Sequence, residues 1–380
     1  MKVLMLLGRS TGGIGTHVAQ LSADLRDHGA DVIVVTHPLT ASRFNLGQVR
    51  PWWPGSAGRV RALRDIWALR RLASACDIVH AHGHQAGLLA TLTTKGPRYR
   101  STRPKLIVSQ HNAVLPGAGG RRLKRLAQRW VARHADLVTG ASSDLVEEAV
   151  AFGASRVELA AVPSPRVPGL LAQRPADGPT RVRIRQTLIS SLAGSSPARN
   201  QADLAAALVV TISRIAPQKN LPVLVEAASR LRTTCTWVVL GEGDPRLLAQ
   251  LRGQAHALGA PVHFVGARSD TDEWLRAAEV FVLPSEWEAR ALVVQEAMAA
   301  GTPVVATDVG GLHDLVAASG LLVIPGDPVA IAKATERVLS DAHLRADLAV
   351  RGREVATSLP NGRDTASGWL KRYTETLQIT

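Results

Sequence analysis

Apolar runs and amphipathic stretches alternate along the chain. Residues 2–7 form an apolar run, residues 8–15 a glycine-rich turn, and residues 17–28 a helical pattern with Val18, Leu21 and Leu25 on one face. Residues 31–36 predict a second buried strand, and 77–82, 105–109 and 137–140 predict further short ones, with helical patterns between them. The same grammar restarts after Leu204, with strands predicted at 207–213, 236–241, 262–265, 280–284 and 303–307. Strands alternating with helices imply parallel βαβ units and a doubly wound sheet. The expected fold class is therefore α/β, with two Rossmann-like domains facing each other across a cleft. The expected boundaries are 1–165 for the first domain and 204–360 for the second. Residues 166–203, rich in Pro, Arg, Ser and Gln, read as linker and loop, although a short helix near 181–192 fits. Residues 361–380 hold a last helix that would pack back on the first domain. No sequence repeat underlies the doubling.

Composition narrows the class. The 380 residues are 46% hydrophobic and 20% charged, with a mean hydropathy of +0.06, an ordinary soluble globular balance that excludes extensive disorder. A membrane span needs about 18–20 consecutive apolar residues, and the longest stretch here, 204–212, is short and contains Thr211. Val3 to Leu7 is also too short for the roughly 7–15-residue core of a signal peptide. Cys76 and Cys235 stand far apart without metal-site spacing and read as small buried side chains in a reducing cytosol. The net charge of +14 is uneven: residues 1–165 carry 22 Lys and Arg against 10 Asp and Glu, whereas 205–380 carry 17 against 19. Such asymmetry points to an anionic partner for the first half. Arg outnumbers Lys 38 to 7, as GC-rich codon usage would produce, but that bias does not explain the split.

Several motifs carry chemistry. Ser10, Thr11, Gly12, Gly13, Ile14 and Gly15 lie between a strand and a helix, where backbone N–H groups can approach a phosphate. A short-chain dehydrogenase would share such a loop but needs a Tyr with Lys four residues on. Tyr99 and Tyr373 are followed at that spacing by Arg103 and Leu377, and the second strand, ending at His37, lacks the acidic residue that would hold a ribose. In the second half, Arg214 and Lys219 follow a strand at its carboxyl end and suit a diphosphate. Gly241, Glu242 and Gly243 make a tight turn after another strand. Glu288 precedes a helix and Glu296 lies about two turns within it; an eight-residue helical offset places such carboxylates about 12 Å apart along the axis in related directions. That spacing fits two ends of one extended ligand rather than a shared metal. Asp270 and Asp272 form an Asp-x-Asp, but Asp270 with Glu273 reads better as a helix cap. His80, His82 and His84 alternate without a companion carboxylate or Cys cluster.

Together these residues resemble the family 4 glycosyltransferases, the retaining group 1 enzymes of the GT-B fold. The resemblance spans nearly the whole chain: Gly12-Gly13 with His17-Val18, the segment 77–83, Ser213 to Asn220, Gly241-Glu242-Gly243, Phe264-Val265-Gly266 and the run 284–306. It implies that Arg214 and Lys219 hold the donor diphosphate, with main-chain amides near Ala291 and Leu292 and with Gly12 and Gly13 closing from the other domain. It implies Glu296 on the ribose, Glu288 on the donor sugar, and His111 near the reacting carbon. His82 and Arg290 are candidate sugar or acceptor contacts. No covalent nucleophile, metal or cofactor is implied; the nucleotide-sugar, GDP-mannose or a UDP-sugar, is a substrate. The chain departs from the family where Ala289-Arg290-Ala291 follows Glu288 in place of Gly-Phe-Gly. It departs again where Pro163-Ser164-Pro165-Arg166 replaces the usual hinge sequence.

Two other classes share the scaffold: a non-hydrolysing sugar-nucleotide epimerase and a non-catalytic binding protein. Nucleic-acid binding is disfavoured, because only 4% of the chain is aromatic. Residues 59–71, following Trp52 and Trp53, and residues 121–133 combine Arg with apolar positions. Arg122, Arg125, Arg129 and Arg133 form one stripe, opposed by Leu123, Leu126, Ala127 and Trp130. That pattern fits a helix lying on an anionic membrane surface, on the inner face of the cell membrane, with a lipid-linked acceptor.

Overall fold

The computed structural model describes residues 1–380 except Thr11, Trp52, 54–58, 96–102, 114–120, 193–206 and Thr380. Tyr99, Trp52 and the end of the expected linker lie outside the described residues. So do the side chains of Pro51, residues 59–63, Arg121 and Leu192. The chain divides into two units, Met1–Pro165 with Pro360–Thr380, and Arg166–Leu359.

The first unit is built on a sheet of seven parallel strands, β1 (Lys2–Leu7), β2 (Asp31–Thr36), β3 (Val49–Pro51), β4 (Ile78–His82), β5 (Lys105–Gln110), β6 (Leu137–Gly140) and β7 (Val157–Leu159). Their spatial order is β3-β2-β1-β4-β5-β6-β7. The chain winds outward from β1 to one edge, returns to β4, and winds to the other edge, so the switch point lies between β1 and β4. Val3, Leu4, Met5 and Leu6 are fully buried, as expected of a strand covered by helices on both faces. The helix Gly13–Asp27 packs on one of those faces, and the last helix, Gly362–Gln378, packs on it. Ala366, Trp369 and Tyr373 of the last helix join Val3, Met5, Val18 and Leu21 in one core.

The second unit repeats the plan with six parallel strands: β8 (Ala207–Ile212), β9 (Cys235–Leu240), β10 (Val262–Gly266), β11 (Val280–Leu283), β12 (Val304–Thr307) and β13 (Leu321–Val323). The order β10-β9-β8-β11-β12-β13 puts the switch point between β8 and β11. Ligands of open parallel sheets bind outside the carboxyl ends of the strands at such points.

Two expectations change. Residues 166–192 are not a loop: they form the helices Val167–Ala172 and Gly178–Leu192 and belong to the second unit. Leu170 and Leu188 are buried in its core, and Arg185 is held by a buried ion pair with Glu279, whose carboxylate also accepts the Leu208 N–H at 2.6 Å. Strands β3, β7 and β13 are additional. Cys76 and Cys235 are free and buried.

One buried polar chain ties the last helix to the first sheet. The Tyr373 hydroxyl meets His80 Nδ1 at 2.7 Å, His80 Nε2 meets Ser109 Oγ at 2.7 Å, and Ser109 Oγ meets Thr139 Oγ1 at 2.7 Å. Removing one partner from a buried hydrogen bond strands the other. Tyr373→Phe should therefore destabilise the protein by about 1–3 kcal/mol, read from the shift in its urea unfolding midpoint.

Candidate functional site

In the second unit the charged candidates gather at the carboxyl ends of β8 and β11. Beyond β8, Arg214 is exposed, and its side chain makes no hydrogen bond or ion pair among the described residues. The chain then turns through the short 3-10 helix Pro217–Lys219 and through Asn220, which takes a left-handed φ of +47°. This turn aims Lys219 back toward the loop after β11. Its ammonium forms an ion pair with Glu288, and Ser285 Oγ donates to the same carboxylate oxygen at 2.7 Å. Both charged side chains are largely buried. Gln218 fastens the two loops: its side chain donates to the Trp287 carbonyl at 2.7 Å, and its own carbonyl accepts the Glu286 N–H at 2.9 Å. Thr307 Oγ1, at the end of β12, donates to the Ser285 carbonyl at 2.6 Å.

The Gly241-Glu242-Gly243 turn lies against this segment. Gly241 has φ +138°, and a Cβ there would sit 1.9 Å from the Ser213 carbonyl oxygen. Ile215 and Gly243 are bridged as parallel strands, so the turn directly supports the backbone that carries Arg214.

Glu288 does not belong to the helix that holds Glu296. The helix is Leu292–Ala299, with Ala291 at its N-cap, and residues 284–291 are non-helical. The eight-residue helical offset expected between the two carboxylates therefore does not apply. Loop geometry fixes Glu288, whose carbonyl accepts the Gly311 N–H at 2.9 Å. Glu296 is buried within the helix, 3.5 Å from Arg166. Arg166 also forms an ion pair with Asp272 and donates to Thr271. Arg290 is partly buried; burial pulls its guanidinium below the usual range, and Asp314 opposes that shift.

Asp270 stands at the N-cap of Thr271–Ala277, but its side chain makes no capping bond. Arg268 instead holds its carboxylate at 2.6 and 2.9 Å and lowers its pKa. The expected capping box is thus replaced by an ion pair, because a guanidinium two residues away is a stronger donor than a backbone amide. Asp270 and Asp272 are each matched to a different arginine.

In the first unit, Gly12 is the N-cap of Gly13–Asp27, and its carbonyl accepts the Gly15 N–H at 2.9 Å. Neither Gly12 nor Gly13 is buried. His82 ends β4 and His111 follows β5; His82 Nδ1 and His111 Nε2 share a hydrogen bond of 3.1 Å. His17, from the first turns of the Gly13–Asp27 helix, completes a buried group of three imidazoles. Burial lowers the pKa of His17 to about 4 and of His111 to about 3, and holds His80 and His82 well below the usual range. The alternating set His80, His82 and His84 does not converge. His80 faces Tyr373 and Ser109, and His84 meets the Asn112 carbonyl at 2.6 Å. Ser285, Gln218, Arg166 and His17 are site residues without a role in the sequence reading. Ser285, Gln218 and His17 nevertheless lie in the segments that carry the family resemblance, and Arg166 in the departure at 163–166.

Two doubly wound parallel sheets, one with cations and carboxylates at its switch point, define a two-domain α/β protein of the kind that handles phosphorylated ligands. The chain belongs to the group 1 glycosyltransferases. A family model described as "Glycosyl transferases group 1" matches residues 206–341, and one described as "Glycosyl transferase 4-like domain" matches residues 12–165. The chain is 29% identical to a D-inositol 3-phosphate glycosyltransferase of Xylanimonas cellulosilytica, over 94% of this chain and 89% of that one. It is 37% identical to the lipopolysaccharide core biosynthesis glycosyltransferase LpsE of Rhizobium meliloti, over 39% of this chain and 44% of that one. Anabaena HepE, solved in complex with UDP and glucose, superposes with a TM-score of 0.82 at 20% identity, covering 99% of this chain and 100% of that one. The fold is GT-B, with two Rossmann-like domains.

The neutral imidazoles set a pH dependence. Their folded pKa values lie below the unfolded value of about 6.5, so between the two the unfolded chain binds more protons and stability rises with pH. The contribution is complete above about pH 6.5 and is lost as pH falls through about 4 for His17 and about 3 for His111. His17 alone contributes of the order of 3 kcal/mol. Urea midpoints measured from pH 7 down to pH 4 should fall steadily, and His17→Asn should flatten part of that slope.

Proposed function

We propose that this chain is a retaining, metal-independent glycosyltransferase that moves a sugar from GDP-mannose or a UDP-sugar to a lipid-linked acceptor. The observation that carries the reading is the placement of Arg214 and the Lys219–Glu288 pair at the carboxyl ends of β8 and β11. Arg214 and Lys219 hold the donor diphosphate. The ammonium of Lys219 has three donors, so its bond to Glu288 leaves two for phosphate oxygens. The backbone N–H groups at Ala291 and Leu292, at the start of an eight-residue helix, add to the anion site. Glu296 takes the ribose hydroxyls and Glu288 orients the sugar, with Arg290 near it. Gly12, Gly13, His82 and His111 keep the roles that the family resemblance implies for them.

Transfer breaks the bond between the anomeric carbon and a diphosphate oxygen, and negative charge grows on the departing nucleotide. Fixed cations and helix amides stabilise that charge more in the transition state than in the ground state. Because Arg214 and Lys219 supply the positive charge, no metal is required. The acceptor hydroxyl attacks from the side the diphosphate leaves and passes its proton to the departing phosphate oxygen, which retains the anomeric configuration.

The first unit supports the acceptor assignment. A cavity of about 460 Å³ beside β5 is lined by Leu88, Val108 and Val131 with Gln110, Lys124 and Gln128, giving apolar walls and polar anchors. In the helix Arg121–His134, Leu123 and Leu126 are exposed between Arg122, Lys124 and Arg125, and Trp67 is exposed on the helix Arg59–Ala73. Exposed leucines among cations suit an anionic lipid surface, where each basic residue contributes about 1 kcal/mol. Among the described residues no helix is long and apolar enough to cross a membrane.

A thermal-shift panel of UDP-, GDP- and ADP-sugars tests the donor, starting with UDP-glucose. A true donor at about 100 times its Kd adds about 2.7 kcal/mol of stability; a flat panel would overturn the reading. With the donor in hand, Glu296→Ala should raise donor KM, while Glu288→Ala should lower kcat by about 10²–10³. Activity should survive EDTA in full, and loss in chelator with recovery in Mn²⁺ would restore a metal mechanism. Co-sedimentation should recover the protein with anionic vesicles at low salt but not with neutral ones. Recovery should fall as ionic strength shortens the Debye length to about 8 Å.

A further inference from the structure

We propose that His17, His82 and His111 form a binding site for a transition-metal dication of the Zn²⁺ or Co²⁺ class. The three side chains arrive from separate elements at the carboxyl edge of the first sheet: the helix after β1, the last residue of β4, and the residue after β5. One ring nitrogen from each lies within 4.8 Å of the others, and all three residues are buried.

The spacing matches a metal better than a packing accident requires. A zinc ion holds histidine nitrogens at about 2.0–2.1 Å in tetrahedral geometry, which places the ring centroids about 5.2 Å apart and the nitrogens about 3.3 Å apart. The observed centroid separations are 5.4 Å for His82–His111, 5.5 Å for His17–His111 and 5.9 Å for His17–His82. His82 Nδ1 and His111 Nε2 are 3.1 Å apart. The centroid triangle closes on an ion with shifts of less than about 1 Å per side, and ring nitrogens within 4.8 Å of one another need draw in by about 1.5 Å at most.

The state of His82 is compatible with ligation. His82 Nε2 is buried without a hydrogen-bond partner. A buried polar atom left unmatched is unusual, and here it leaves the His82 tautomer uncommitted. With the proton on Nε2, His82 Nδ1 accepts from His111 Nε2–H, and a metal takes the place of that proton when His111 carries its own on Nδ1. Burial keeps the imidazoles neutral, which is their ligating form. An all-imidazole set selects zinc, cobalt or copper over magnesium and manganese, which prefer oxygen. Three protein ligands leave the fourth position for water or a substrate hydroxyl. The site shares His82 and His111 with the reading proposed above, on which this inference rests and whose chemistry needs no metal. Where that reading gives His82 and His111 to the sugar, an occupied site withdraws both, so zinc inhibits transfer.

The test measures binding first, without donor. Chelator-treated protein is titrated with Co²⁺, followed by visible absorption, and with Zn²⁺ in competition, followed by thermal unfolding; Mg²⁺ is the control. Tetrahedral cobalt bands at one equivalent, displaced by Zn²⁺, with a rise in Tm that Mg²⁺ does not give, are expected. His17→Gln should weaken the apparent affinity about tenfold or more, while His343→Gln, an exposed histidine, should not. If His17→Gln fails to fold, His111→Gln carries the comparison. Absence of the bands and of the Tm rise in the wild type, or equal binding by the wild type and the cluster variants, overturns the site. Bound zinc that leaves transfer intact supports the metal site and overturns only the assignment of His82 and His111 to the sugar.

Discussion

A parallel strand covered on both faces has nowhere to put a polar side chain except at its ends. This constraint organises both units. The interiors of β1 and β9 are closed to solvent on every side chain from Val3 to Leu6 and from Trp237 to Val239, so charged and titratable groups collect where the strands finish. The doubly wound order then selects which ends matter. At a switch point neighbouring strands send their following loops to opposite sides, and the gap between those loops admits a ligand. Lys219 and Glu288 flank the gap between β8 and β11, and the histidines flank the corresponding edge of β1, β4 and β5. His80, inside β4, shows the cost of breaking the rule. It is tolerated only with both ring nitrogens matched, by Tyr373 and Ser109.

The two units solve the burial of polar groups differently. In the second, charges are kept and paired: Lys219 with Glu288, Arg166 with Asp272 and Glu296, Arg185 with Glu279. Breaking one member of such a pair strands the other, which is why these residues act as sets rather than as single contacts. In the first unit the imidazoles shed their protons instead. The second unit thus keeps fixed charges at its strand ends, and the first presents neutral ring nitrogens there.

The sequence made the central strands legible and the margins illegible, for a physical reason. Long buried strands such as β1, β8 and β9 carry predominantly apolar six-residue runs. Strands β3, β7 and β13 span three residues each, and β3, β7 and β13 all lie at sheet edges, where a residue triplet carries no period. The helix Gly178–Leu192 was obscured by its Arg-rich composition, because Arg185 reads as a surface residue until Glu279 is placed beside it. Likewise, Arg214, Lys219, Glu288 and Glu296 could be picked out by type and position, but not the wiring among them. The Lys219–Glu288 bond joins residues brought together only by the pairing of β8 with β11. The meeting of His17 with His82 and His111 has the same origin.

The segment after Glu288 shows how wiring outweighs local composition. Ala289, Arg290 and Ala291 stand where the family often has Gly-Phe-Gly, and the loss of two glycines would matter if either position needed a left-handed backbone. Ala291 has φ −66° and ψ 100°, a conformation open to any L-residue. The close approach is made instead by Gly310, at φ +48°, where a Cβ would meet the Glu288 carbonyl oxygen at 2.2 Å. The adjoining Gly311 N–H holds that same carbonyl. In this chain the glycine requirement lies in the loop that faces Glu288, and both alanines are buried. Arg290 is the substituted position with chemical consequence: it adds a cation at the mouth of the Leu292–Ala299 helix, opposite Asp314. A cation there reinforces the anion preference that the helix start already has, so the departure adds charge beside the helix start without dismantling the loop that carries Glu288.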